Sequence, residues 1–306
     1  MSDVHATTST TPDPAAGNRR KGRGELRTRL VIGPAVIVFV GVLYAVDMTW
    51  MAERGMRGHL IAGLLGALGL AGVLEYVAMM RAAGFAIAGV LLPVYTGLLV
   101  VSPFFFGWHA LDRELYPLVI GTLGLLFPIA LESLSRRRMQ QGLELQGATM
   151  LGFLLIAWPM FLAQGMALRH LPSVLWVALV CKGGDIGAYL TGIAIGRRKL
   201  IPHVSAGKTV EGAIGSVLAS VGLAALLRGP LLEPEVPLTL TGSLVIGIIL
   251  NVTTQTGDLI ESLLKRRCGV KDSSHLLPAH GGVLDLIDSL LFSFPTFFLV
   301  LTWLTP

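Results

Sequence analysis

Charge is what this sequence has least of. Only 14% of its 306 residues are Asp, Glu, Lys or Arg, against roughly 25% in a soluble domain. Hydrophobic residues make up 53%, and the mean hydropathy is +0.70. This excludes an ordinary soluble globule and points to an integral membrane protein. The formal net charge of +5 is not spread over a soluble surface, which argues against a nucleic-acid partner. Cysteine is also scarce. Cys181 and Cys268 cannot build a disulfide framework, and both fall in or inside the membrane, where reduced thiols are expected. A signal peptide is missing too: residues 1–29 are rich in Ser, Thr, Pro, Gly and Arg and have no apolar core. They read as a disordered basic tail, ordered at most by lipid head groups.

What the chain does have is long apolar runs. A spanning helix needs roughly 17–25 mostly apolar residues. Such runs occur at 30–46, 59–79, 85–106, 116–132, 148–164, 174–196, 210–227, 239–259 and 284–304. The expectation is an all-α, polytopic membrane protein of about nine spans. Gly63, Gly66, Gly69 and Gly72 lie on related faces of the second run and are expected to let another helix approach. The basic residues then set the orientation. With the N-terminus inside, the inner segments hold Arg19, Arg20, Lys21, Arg23, Arg27, Arg29, Arg81, Arg136, Arg137, Arg138, Arg197, Arg198, Lys199, Lys208, Lys265, Arg266, Arg267 and Lys271. The outer loops hold only Arg54, Arg57, Arg113, Arg169 and Arg228. This bias favours N-in, C-out.

An ionisable residue inside a span costs a few kcal/mol even on lenient scales, so each one needs a reason (about 2.5–3.5 kcal/mol at a helix centre). Glu75, near the inner end of the second run with Arg81 close by, reads as a snorkelling or paired structural acid. Asp185 follows Gly183 and Gly184, which are expected to loosen the helix. Lys182, three residues earlier, can neutralise it, or Asp185 sits at the floor of a polar cavity. Asp258, Glu261, Ser262 and Lys265 fall at helical offsets of 0, 3, 4 and 7 and share one face. Asp285 and Asp288, three apart, open the last span from the cytoplasmic side. Adjacent carboxylates repel, and a divalent cation removes that penalty; Mg²⁺ suits two or three carboxylates plus substrate phosphates. Gly281 and Gly282 let backbone approach a phosphate, or form a plain helix-start turn. His280 is a ligand, a phosphate donor or a structural hydrogen-bonder; the sequence leaves these open.

A second basic loop, GRRKLIPHVSAGKTVEGAIG, lies on the same side. Ser205 or Thr209 can cap the helix that follows, Lys208 can meet phosphate, and the helix start favours anions. Gly207-Lys208-Thr209 is not a P-loop: Pro202 stands where that motif needs Gly, and no strand is expected before it. Acids for a metal, bases for phosphates and walls of apolar helix suit a reaction between a water-soluble nucleotide and a lipid.

The stretch S-x-L-K-R-x₄-K-D-x-S-x₂-L-P-x-H-G-G-V-x-D-x₂-D, Ser262 to Asp288, resembles the signature of phosphatidate cytidylyltransferase, or CDP-diacylglycerol synthase. Three further stretches agree: Asp185-x-Gly-Ala-Tyr189, Ser205-x₂-Lys-Thr-x-Glu-Gly212 and Gln255-x-Gly-Asp-Leu-x-Glu-Ser262. The resemblance covers about residues 30–304. It implies a transmembrane cytidylyltransferase domain over 30–306, with the chemistry mainly in 182–306. It also implies a homodimer in the cell membrane, with a cytoplasmic active site using CTP, phosphatidate and Mg²⁺. The expected roles follow. Asp258 and Asp285 share Mg²⁺, with Asp288 a further ligand or the site of a monovalent cation such as K⁺. Lys208, Lys265, Arg266 and Lys271 bind phosphates, and Ser205, Thr209, Glu211 and Ser262 shape the nucleotide pocket. Asp272, His280, Gly281 and Gly282 organise the loop, and Asp185 supports the cavity or a second cation. Two departures stand out. Leu286 replaces an Arg of the D-R-x-D pattern, and Ala206-Gly207 stands where Pro and a longer residue are common. Rival readings are a CTP-dependent lipid kinase of the polyprenol type and a catalytically impaired relative.

Overall fold

The computed structural model describes residue 35 and residues 37–106, 115–133, 141–202, 204–233, 235–276 and 281–304. The N-terminal tail and His280 lie outside the described residues. Helix α1 runs over 37–46 and continues through a π turn at Asp47–Met51. Then come α2 His59–Ala82, α3 Leu91–Phe106, α4 Leu115–Ser133, α5 Gly142–Arg169 and α6 Leu171–Ile195. A two-stranded antiparallel hairpin, β1 Lys199–Ile201 and β2 Ser205–Thr209, precedes α7 Val210–Leu231 and α8 Leu240–Arg267. The chain ends with the short α9 Val283–Ile287 and with α10 Leu290–Leu304.

The protein is helical and membrane-embedded. Five helices, α2, α5, α6, α7 and α8, are long and apolar enough to cross a bilayer by length and composition. Segments Leu91–Phe105, Thr122–Leu131 and Leu290–Leu304 are shorter apolar helices. Among the described residues the expected runs fall mostly on helix, although 85–90 precede α3, and three corrections apply. Gly183 and Gly184 do not loosen α6, which is unbroken. A strand does precede α7, and Gly207-Lys208-Thr209 lie within it, so the tripeptide is extended rather than wrapped around an anion. The last run is not one helix: it breaks at Asp288 and Ser289.

Small residues decide how these helices meet, because lipid tails offer no hydrophobic drive for helix association and packing must supply it. A Cβ added at Gly187 would lie 2.5 Å from Ala219 Cβ and 2.9 Å from the Gly215 carbonyl oxygen. At Gly184 it would meet Ser220 Oγ at 2.2 Å, and at Gly215 it would meet Thr191 Oγ1 at 2.1 Å. Helices α6 and α7 therefore touch nearly backbone to backbone. Buried polar groups fasten α8 to the same pair: Asn251 Nδ2 donates to Ser216 Oγ (2.7 Å) and Ser220 Oγ (2.9 Å). On α2, Gly66, Gly69 and Gly72 do admit neighbours, namely Gln164, Met160 and Ile287, whereas Gly63 meets nothing. Trp176 is fully buried, tilted against Phe297 at 5.0 Å, and donates from Nε1 to the Ala224 carbonyl. It thereby locks α6 to both α7 and α10.

Gly187→Val is expected to force α6 and α7 apart at a cost of about 1–3 kcal/mol, the usual price of overpacking. Thermal unfolding in detergent checks this; a variant melting with the parent would mean that the contact carries no weight.

Candidate active site

Helix α8 continues without a kink to Arg267, and the basic run Lys265, Arg266 and Arg267 complements its C-terminal carbonyls. Its C-terminal half carries Asp258 and Glu261 on one face. Asp288 joins them from the break between α9 and α10. Ligand oxygens of Asp258, Glu261 and Asp288 all lie within 4.8 Å of one another. Asp288 gets so close because Gly257 has no side chain: a Cβ there would stand 2.6 Å from the Asp288 carbonyl oxygen. Glu261 is buried, and its Oε1 has no hydrogen-bond partner among the described residues.

Lysines from three elements balance this acidity. Lys208 of β2 reaches Asp258 Oδ2 at 2.6 Å. Lys265 lies 2.5 Å from Glu261 Oε2 and 2.5 Å from Asp285 Oδ1. Lys182 of α6 donates to the Leu286 carbonyl (2.9 Å) and to Ser289 Oγ (2.7 Å), and lies 3.7 Å from Asp185. Lys182 therefore fastens the break that presents Asp288, at the position where Leu286 departs from the expected Arg.

Asp285 lies outside the triad. It is the third residue of α9, and its Oδ2 reaches back to accept from the Gly282 amide (2.7 Å) and the Ser273 amide (2.9 Å). Its Oδ1 is taken by Lys265. The expected pairing of Asp258 with Asp285 is thus replaced by Asp258 with Glu261 and Asp288. The reason is positional: an acid at the third position of a helix is well placed to serve the free amides of its start.

The remaining expected residues divide. Thr209 caps α7, accepting from the Gly212 amide at 3.1 Å. Ser205 lies in β2, paired with Ile201. Glu211, in the first turn of α7, accepts from the amides of Arg197 (3.0 Å) and Arg198, tying the start of α7 to the segment between α6 and β1. Ser262 Oγ stands 3.4 Å from Asp258 Oδ1. Arg266 and Lys271 are exposed, the first turned toward the Val270 carbonyl. Asp272 packs beside Gly281, whose φ of +88° suits glycine. Cys181 and Cys268 are free, and burial pushes the Cys268 thiol up.

Four residues were not picked out by sequence as part of the site. Glu261 was placed on the right face but not among the ligands. Lys182 was read only as a partner for Asp185. Ser273 and Ser289 carried no signal of their own. For the two charged residues the available signal was an ionisable group within an apolar run.

Taken together, a helical membrane bundle carries a triad of carboxylates with lysines paired to two of them. Residues 32–304 match the model of the Cytidylyltransferase family, and the chain belongs to that family. It is 40% identical over 131 residues to the phosphatidate cytidylyltransferase of Bacillus subtilis, covering 43% of this chain and 48% of that protein. It is 41% identical over 163 residues to that of Pseudomonas aeruginosa, covering 53% and 56%. It is also 46% identical over 125 residues to the uncharacterized protein YnbB of Escherichia coli, covering 41% of each. The chain thus aligns with about half the length of these relatives.

Lys265→Met should leave two buried carboxylates without their cation and destabilise the protein by about 3–5 kcal/mol. Adding Asp285→Asn and Glu261→Gln should recover part of this. Equal thermal stability of Lys265→Met and parent would remove the ion-pair argument.

Proposed function

We propose that the protein transfers a cytidylyl group from CTP to phosphatidate, giving CDP-diacylglycerol and pyrophosphate for phospholipid synthesis. The observation that carries this reading is the triad of Asp258, Glu261 and Asp288 with Lys208 and Lys265 on it, at the end of helices whose other surfaces are apolar. Phosphatidate keeps its acyl chains in lipid while CTP arrives from water. A phosphatidate oxygen attacks the α-phosphorus of CTP; the bond from that phosphorus to the bridging oxygen breaks, and pyrophosphate leaves with the electron pair. The attacking oxygen is already anionic, so no strong general base is required. The work is to hold two polyanions in line and to neutralise their charge.

The donor set fits Mg²⁺: three hard carboxylates within 4.8 Å of one another, one with an unpartnered buried oxygen. Asp258, Glu261 and Asp288 would hold the ion, which supplies charge neutralisation and Lewis acidity when bound. Lys208 and Lys265 exchange carboxylate for phosphate, and Lys182 keeps Asp288 presented. A second, monovalent cation such as K⁺ remains an option at Asp288, with Asp185 supporting the cavity or that cation. We assign the N-in, C-out orientation from the distribution of Lys and Arg, so that the site faces the cytoplasm of a cell membrane. A homodimer is the assembly proposed from the family resemblance.

Purified protein given phosphatidate, Mg²⁺ and CTP labelled at either the α or the γ phosphorus is expected to put only the α label into lipid. Entry of γ label would mean a kinase, and no label in lipid an inactive relative. Asp258→Asn and Asp288→Asn should each reduce turnover by at least the ~10–100-fold that loss of a supporting group around a metal costs. Parental rates in either variant would sink the metal assignment.

A further inference from the structure

The second membrane helix sends one acid into the site from outside the triad. Glu75 of α2 is buried, 8% exposed. Arg81, its expected partner, lies instead against Gly89, where an added Cβ would stand 2.3 Å from the guanidinium. No cation pairs with Glu75 among the described residues. Four donors replace it. Ser274 Oγ (2.6 Å) and the Val283 amide (2.9 Å) donate to Oε1. Ser273 Oγ (2.9 Å) and the Leu284 amide (2.8 Å) serve Oε2. A buried carboxylate without a countercharge is costly unless its lone pairs are filled, and here they are.

The shared donor gives this arrangement its meaning. Ser273 Oγ lies 2.9 Å from Glu75 and 2.8 Å from Asp285 Oδ2, and its single proton serves one of them at a time. Asp285 in turn is held by Lys265, and Lys265 by Glu261 of the triad. The contacts therefore run unbroken from α2 through Ser273, Asp285 and Lys265 to Glu261. Gly282 is the residue that lets them close: a Cβ there would lie 2.3 Å from Glu75 Oε2 and 2.0 Å from Ser273 Oγ.

We propose that Glu75 is a positioning residue for the transfer reaction: it fixes Ser273, Ser274 and the start of α9, and through them the placement of Asp285 and Lys265 beside the triad. This rests on the activity proposed above. In this reading Glu75 acts through these protein contacts.

The test uses the full chain purified in detergent. Glu75→Gln keeps the shape but replaces one accepting oxygen by an amide that donates toward groups already donating. Ser273→Ala removes only the shared hydroxyl. Each is expected to lower kcat about tenfold or more, to raise the Mg²⁺ concentration for half-maximal rate, and to leave KM for CTP within about twofold. The double variant should lose no more than the worse single one, because both act through one link. Mn²⁺ binding followed by electron paramagnetic resonance, without substrate, should weaken about tenfold in Glu75→Gln. A folded Glu75→Gln with parental kcat and parental Mn²⁺ affinity overturns the proposal. Should Glu75→Gln not fold, Ser273→Ala decides on the same readouts. If the parent binds Mn²⁺ but transfers no label to lipid, the activity reading fails, and the Mn²⁺ comparison still decides for or against Glu75. A parent that binds no Mn²⁺ overturns both.

Discussion

Mutual repulsion among Asp258, Glu261 and Asp288 is the constraint under which this bundle is built. Their oxygens come within 4.8 Å of each other inside an apolar assembly, where charge is poorly screened. No single helix could hold three such groups together, since each would turn toward water if it were free to. They are held because Lys208 of β2 and Lys265 of α8 pair with Asp258 and Glu261, while Lys182 of α6 fastens the backbone beside Asp288. The acids in turn fix where those elements can lie. Lys208 links the hairpin to α8, and Lys182 links α6 to the break before α10. Fold and site are the same set of interactions seen from two sides.

That arrangement demands close backbones, which accounts for much of the glycine. Gly257 admits the carbonyl of Asp288, and Gly282 admits the carboxylate of Glu75. Gly184 and Gly187 bring α6 onto α7, so that Lys182 arrives at the right depth. In water such glycines would weaken a helix. In a bilayer the helix is kept by the lack of any other partner for its backbone, and the missing side chain is used for approach.

The membrane helices were legible in the sequence because apolar length is a direct physical requirement of the bilayer. Asp258 and Asp288 stood out because charged groups in or beside apolar runs are conspicuous, and Lys208 because it ends a basic loop just before a helix. The separation of Asp285 from Asp258 was not legible, for a different reason. Two acids three apart look equivalent along a helix, but the helix ends between them. Asp285 sits at the start of α9 and serves amides, while Asp288 sits in the break and faces α8. Periodicity cannot see a break that no proline or glycine marks, and here Leu286, Ile287, Asp288 and Ser289 give no such mark. Glu75 was misread for a related reason. Its neighbour in sequence is Arg81, but its partners lie 198 to 209 residues away, and nothing local announces a contact at that range.

The long reach of Glu75 also bears on how divisible the molecule is. Every carboxylate of the triad and every lysine on it belongs to the stretch from α6 onward, which makes that half look self-sufficient. Its most crowded loop is nonetheless moored to the second helix of the other half. A shortened chain beginning at α6 would inherit all the reactive groups and none of this mooring. In this bundle α2 holds the loop before α9 as well as packing against its neighbouring helices.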